Sequence, residues 1–239
     1  MKRDHNEDSY LVNEGLGLFV VADGMGGHAG GETASKLAVA AIERELKGAA
    51  EQPENPFTSA APLRETPLAD ALREAVEGAC ADVFHAAKAT PALDGMGTTV
   101  VALLIFDQGA IVGHVGDSRV YLVRAERVLQ LTEDHSLVNE QVQAGLLTPE
   151  QARVSRYKNI ITRSVGFEED VLVDVMGVAT ETGDTLVLCS DGLANLVEPD
   201  EIGETVRTAA IGEVAQRLVD LANARGGDDN VTVIAVRCG

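Results

Sequence analysis

Apolar positions along the 239-residue chain follow two rhythms. Short apolar runs with strand-like spacing alternate with longer stretches in which apolar residues recur every three or four positions. The first rhythm predicts strands near residues 16–22, 98–106, 109–115, 119–124, 127–131, 171–177, 184–190 and 231–236. "LLIFDQGAIVGHVG" holds two apolar runs joined by Asp-Gln-Gly, and "RVYLVRAERVLQLT" repeats the arrangement. These strands are expected as hairpins of one antiparallel meander. The second rhythm predicts helices over 31–47, 68–89 and 211–225.

Residues 48–67, rich in Pro, Ala and polar side chains, read as a mobile surface loop and not as a domain linker. Residues 132–168 are polar and interrupted by Pro149, which suggests a helical flap over one end of the sheet. No internal repeat is present, and residues 1–239 are expected to form a single domain. Hairpins combined with paired helices favour an α+β sandwich, two antiparallel sheets inside and helices outside, over a parallel doubly wound sheet. Loops of both sheets would then meet at one end.

Composition narrows the function classes. The longest apolar run, "VVALLIF" at 100–106, is far shorter than the roughly 18 residues of a membrane span. No basic segment leading into an apolar one opens the chain, so no secretion signal is expected. Cys80, Cys189 and Cys238 make no disulfide framework and suit a reducing cytoplasm. With 19 basic and 38 acidic residues the formal charge is −19, which disfavours nucleic acid as a partner. A monomer without a membrane or nucleic-acid partner is expected.

Particular carboxylates say more than the total. Glu7 and Asp8 in "RDHNEDSYLV", Asp23 in "VVADGMGG", Asp117 in "GHVGDSRVYLV", Asp191 in "LCSDGL", and Asp228 and Asp229 in "GGDDNVTVIAV" all abut apolar runs. A single Asp-Gly after a strand is an ordinary turn. Five such sites with few Lys or Arg nearby are unusual, because a carboxylate beside a core strand is costly to desolvate unless paired or metal-bound. If they converge, cations must offset the repulsion, and oxygen ligands without clustered His or Cys select Mg2+ or Mn2+ over Zn2+. The glycine after Asp23 would let the backbone approach an ion, with the Gly24 carbonyl as a further ligand and Asp23 bridging two ions. Arg3, ahead of the Glu7-Asp8 pair, suits either a bidentate grip on phosphate or a plain ion pair. There is no GxxxxGK[ST] and no kinase catalytic-loop pattern, so phosphate hydrolysis is favoured over transfer from a nucleotide.

Taken in order, "RDHNEDS", "VVADGMGGHAGGE", "GTTVV", "VGDSRVYLV", "LTEDHS", "ITRSVG", "LCSDGL" and "GGDDNVTVI" resemble the metal-dependent protein phosphatases of type 2C, the PPM family, in their compact bacterial form. The resemblance runs from Arg3 to Ile234. It implies an αββα sandwich and a dinuclear Mn2+/Mg2+ centre, with Asp23 bridging, the Gly24 carbonyl on one ion, and Asp191 and Asp229 on the other. Glu7 and Asp8 match positions that hold metal-bound waters, and Asp117 matches one that can hold a weak third ion together with Asp191. Arg3 matches the phosphate-binding arginine. The implied activity is hydrolysis of phosphoserine and phosphothreonine in proteins by a water bridging the ions, opposing a bacterial Ser/Thr kinase.

Two departures bear on this. The family usually carries a strand before its RxxNED motif, whereas only two residues precede Arg3 here; either an upstream start was missed or one sheet lacks an edge strand. Eukaryotic members have a His directly after the DG, proposed as general acid, where this chain has Met25. His28 can stand in, as can a metal-bound water. Thr98, Thr99, Cys189, His114, His135 and Asn230 read as structural. Alternatives to the enzyme are a pseudophosphatase that binds phosphoproteins without hydrolysing them, and a relative tuned to regulatory anti-anti-sigma-type substrates.

Overall fold

The structure, a computed structural model, describes residues 5–26, 29–52, 66–107 and 109–239. Two antiparallel sheets stack between helices. The first contains β1 (Asp8–Asn13), β2 (Leu18–Met25), β4 (Val100–Phe106), β5 (Gly109–Val115) and β8 (Asp174–Val178) in that spatial order, with the short β3 (Gly97–Thr98) beside β2. The second runs β10 (Val233–Arg237), β9 (Thr185–Cys189), β6 (Arg119–Arg124), β7 (Arg127–Gln130). The expected single meander is therefore two hairpins in opposite sheets. β5 and β6 do not pair; the turn at 116–118 carries the chain across the sandwich, and β6 takes β9 as its partner instead.

Strand alternation builds three apolar layers. In β2, Leu18, Val20 and Ala22 meet α1 (Ala29–Ala50) and α2 (Pro67–Ala89), while Phe19 and Val21 face the other sheet. In β9, Leu186 and Leu188 point inward, while Val187 and Cys189 pack on α6 (Pro199–Thr208) and α7 (Ile211–Ala224). Buried on both faces, these strands read as continuous apolar runs, which is why they were legible. Thr66 caps α2 by accepting from the Ala69 N–H at 3.2 Å, and Pro67 takes the first helical position, where a missing N–H is harmless.

The segment 132–168 contains two short helices, α3 (Leu137–Gln143) and α4 (Pro149–Arg153), as its composition suggested. Most of the loop expected at 48–67 lies outside the described residues. Among the elements that went unread in the sequence are β1 and α6. β1 presents Tyr10 and Val12 to solvent, so its apolar alternation points the wrong way for a core strand. α6 was announced by Pro199 at its start and by a capping box between Glu198 and Glu201. Among the described residues no helix is long and apolar enough to cross a membrane.

Candidate metal centre

β2 is longer than its apolar run because Gly24 and Met25 pair with Thr98 and Gly97 of β3. Asp23 thus lies within the ladder, directly opposite Asp8 of β1. Asp191 opens the four-residue helix α5 (Asp191–Ala194) just after β9. Asp117 occupies the crossing turn between β5 and β6, and Asp229 the loop before β10. Each sheet therefore sends carboxylates to the same end of the sandwich.

Electrostatics shows that they converge. Burial pushes the Asp23 carboxyl well above the usual carboxylate range, and the charges of Asp8, Asp191, Asp117 and Asp229 add to it. Asp117 is pushed up to about 7 by burial, then by Asp191 and Asp134, with Arg119 opposing. Burial also raises Asp8, against hydrogen bonds from Thr232, Ser190 and the Asp23 carboxyl, and Asp229 raises it further. Glu7, Asp8 and Asp117 are all more than nine-tenths buried.

The supporting frame is built from hydroxyls. Thr232 Oγ1 and Ser190 Oγ donate to Asp8 Oδ2 at 2.6 and 2.9 Å, while Ser190 Oγ accepts from the Thr232 N–H at 3.0 Å. Thr99 Oγ1 accepts from the Asp23 N–H at 3.0 Å and lies 2.7 Å from Ser118 Oγ; Thr98 Oγ1 donates to the Asp23 carbonyl at 2.9 Å. Asn230 accepts from the Glu7 N–H at 3.0 Å and donates to the His5 carbonyl at 3.1 Å, tying the last loop to the first carboxylates. The Ser190 and Thr232 roles were missed in the sequence, although each stands one or three residues from a flagged Asp.

The glycines after Asp23 and Asp191 have a common cause. A Cβ on Gly24 would sit 2.1 Å from the Gly31 carbonyl oxygen and 2.5 Å from that of Glu7. One on Gly192 would sit 1.9 Å from the Asn230 carbonyl oxygen. The first turn of α1 closes onto Gly24 and the loop before β10 onto Gly192, and only glycine leaves room at either place.

The donor set fits hard divalent cations. Asp8 Oδ1 is buried and accepts no hydrogen bond from the described residues. Five carboxylates converge with oxygen ligands only, so Mg2+ or Mn2+ suits them better than Zn2+. A second cluster, His114, His135 and Asp174, brings three ligand-type atoms within 4.8 Å of one another. His135 Nδ1 accepts from the Gly116 N–H at 3.0 Å, so Nε2 carries the proton and donates to Asp174 Oδ2 at 3.0 Å. That tautomer leaves His135 no lone pair for a metal, and His135 braces Gly116 against Asp174. Arg3 and His28 lie outside the described residues.

A cavity of about 630 Å3 opens beside the carboxylates, lined by Asp117 and Asp191 and roofed by the 132–158 segment, including Arg153 and Lys158. These are cations in a chain of net charge −19.

A sequence profile described as Protein phosphatase 2C matches residues 2–225. The chain is 40% identical over 244 residues to Protein phosphatase PhpP of Streptococcus pneumoniae, covering 98% of this chain and 92% of that protein. It is 37% identical over 238 residues to the serine/threonine phosphatase stp of Listeria monocytogenes, covering 98% and 90%. Among solved structures it resembles the Mycobacterium tuberculosis serine/threonine phosphatase PstP/Ppp, with TM-score 0.87, 34% identity and coverage of 98% and 93%. It also resembles a PstP catalytic domain described in complex with 2 manganese ions, at TM-score 0.81, 34% identity and coverage of 98% and 92%. The chain belongs to the protein phosphatase 2C family, the metal-dependent serine/threonine phosphatases of type 2C.

Proposed function

We propose that this protein serine/threonine phosphatase hydrolyses phosphoserine and phosphothreonine at the carboxylate cluster, with Mn2+ or Mg2+ held by Asp23, the Gly24 carbonyl, Asp191 and Asp229, and more weakly by Asp117. The observation that carries the reading is the mutual electrostatic contact of Asp8, Asp23, Asp117, Asp191 and Asp229 at one end of the sandwich. Without cations such a cluster would repel a phosphate dianion. When bound, the ions supply an acidified water as nucleophile and neutralise charge on the phosphate oxygens.

The protein's own groups do the rest. Ser190 and Thr232 occupy Asp8 Oδ2, which leaves Oδ1 as an acceptor for a water proton. Glu7 is assigned the same work beside it. Thr98 and Thr99 hold both backbone polar groups of Asp23, so its carboxylate projects from a fixed point. Arg3 is assigned the grip on phosphate, and the leaving serine or threonine oxygen takes its proton from His28 or from water. Phosphorylated proteins are the substrates, a Ser/Thr kinase the opposing enzyme, and the cytoplasm the compartment, in keeping with three free cysteines. The chain is read as acting as a monomer.

The test is release of phosphate from a phosphothreonine peptide by metal-stripped protein, before and after Mn2+ or Mg2+ is restored. Turnover that appears with metal and disappears with EDTA is expected. Equal turnover in EDTA contradicts the reading.

A further inference from the structure

Arg153 and Lys158 are not the only cations that share the cavity with the carboxylates. Arg119, the first residue of β6, lines it together with Asp117 and Asp191. Its guanidinium makes a bidentate pair with Asp134, Nε to Oδ1 at 2.8 Å and Nη2 to Oδ2 at 2.6 Å, and Nη1 donates to the buried Tyr121 hydroxyl at 3.1 Å. Both charged groups are largely out of solvent, with side-chain exposures of 24% and 14%. Asp134 is itself held: Gln130 Nε2 donates to Oδ1 at 3.3 Å, and Asn139 Nδ2 donates to its carbonyl at 2.9 Å. The next residue, His135, clamps Gly116 by its backbone N–H at 2.8 Å and by Nδ1 at 3.0 Å. The base of the flap thus grips both sides of the Asp117 turn.

We propose that Asp134 is a positioning residue that holds Arg119 away from Asp117 and Asp191, keeping that part of the carboxylate cluster open to cations. A buried guanidinium stripped of its partner seeks another anion, because leaving it unpaired is costly. Asp117, two residues earlier in the crossing turn, and Asp191 line the same cavity as Arg119 and offer it carboxylate oxygens. An arginine seated on these carboxylates would compete with a divalent cation for the same oxygens. The paired carboxylate at 134 prevents this. The inference rests on the proposed cation-binding role of Asp117 and Asp191.

The experiment is Mn2+ titration calorimetry on wild type, Asp117→Ala, Asp134→Asn, Arg119→Gln and the Asp134→Asn/Arg119→Gln double variant. Asp134→Asn is expected to weaken the site that Asp117→Ala removes by about tenfold, which corresponds to roughly 1.4 kcal/mol. The double variant should recover most of the loss, since no cation remains to intrude. If the double variant binds as weakly as Asp134→Asn, or if Asp134→Asn binds like wild type, the proposal is overturned. Should Asp134→Asn fail to fold, Arg119→Gln decides: uptake at least as tight as wild type supports the proposal, and weaker uptake overturns it. If Asp117→Ala titrates like wild type, the cation role of Asp117 itself fails, and the inference falls with it.

Discussion

Asp8 on β1 lies directly across from Asp23 on β2, two acids facing each other in one antiparallel ladder. Like charges in that relationship destabilise a sheet. A ladder that keeps them has a cation to gain. In metal-free buffer Asp23→Asn is therefore expected to melt at or above the wild-type temperature. Ions that bind only the folded state stabilise by about 2.7 kcal/mol at a hundredfold excess over Kd. Wild type should show an upward melting shift with Mn2+ that Asp23→Asn largely loses. An undiminished shift in the variant would leave Asp23 a turn residue only.

Burial of Asp117, with the charges of Asp191 and Asp134 beside it, gives the metal-free protein a pH response. The Asp117 carboxyl sits at about 7 in the fold against an ordinary value of 3.8. Between these values the folded state holds a proton that the unfolded chain has released, so this group's contribution to stability is complete below about pH 4 and is lost as pH rises toward 7. Melting in EDTA should accordingly show Asp117→Asn gaining on wild type as pH climbs from 5 to 8. A difference that stays constant over that range would show that Asp117 is not raised.

Gly192 offers a steric route to the same centre. A methyl there meets the Asn230 carbonyl at 1.9 Å and must push the loop that carries Asp229. Overpacking of this kind costs about 1–3 kcal/mol. Gly192→Ala should lower the denaturation midpoint by a corresponding amount and weaken Mn2+ binding. Ordinary metal affinity in a folded Gly192→Ala protein would separate the 228–230 loop from the centre.

Asp117 is expected to differ from the core ligands. It sits on the crossing turn between the sheets, not in the ladder with Asp8 and Asp23. Asp117→Ala should keep two tightly bound ions by calorimetry and lose the weaker one, with turnover falling steeply. Loss of the tight ions would make Asp117 a core ligand.

Much of this architecture was legible because its strands are buried on both faces. "FVVA" and "LVLC" read as core whichever way the alternation runs, and the acids that follow them stood out against that background. The distribution of hairpins between sheets was not legible, since nothing local distinguishes a turn that folds back from one such as 116–118 that crosses over. β1 hid because its outward Tyr10 and Val12 mimic a core face. Within the site, aspartates announced themselves by position, whereas Ser190, Thr232 and the Arg119–Asp134 pair act through contacts between residues 15 to 224 positions apart. Such pairings exist only after the sheets have stacked. Arg119 stands two residues after Asp117 and lines the same cavity, but its guanidinium is paired with Asp134.

A cation-dependent phosphatase centre at the converging aspartates is the proposal on which the rest depends. Its most direct test is phosphate release from a phosphothreonine peptide as Mn2+ is titrated into metal-stripped wild type and Asp23→Asn in parallel. Saturable activation of wild type and a near-flat response from folded Asp23→Asn are expected. Turnover in wild type that is indifferent to Mn2+, or an Asp23→Asn curve that overlays it, would contradict a metal centre built on Asp23.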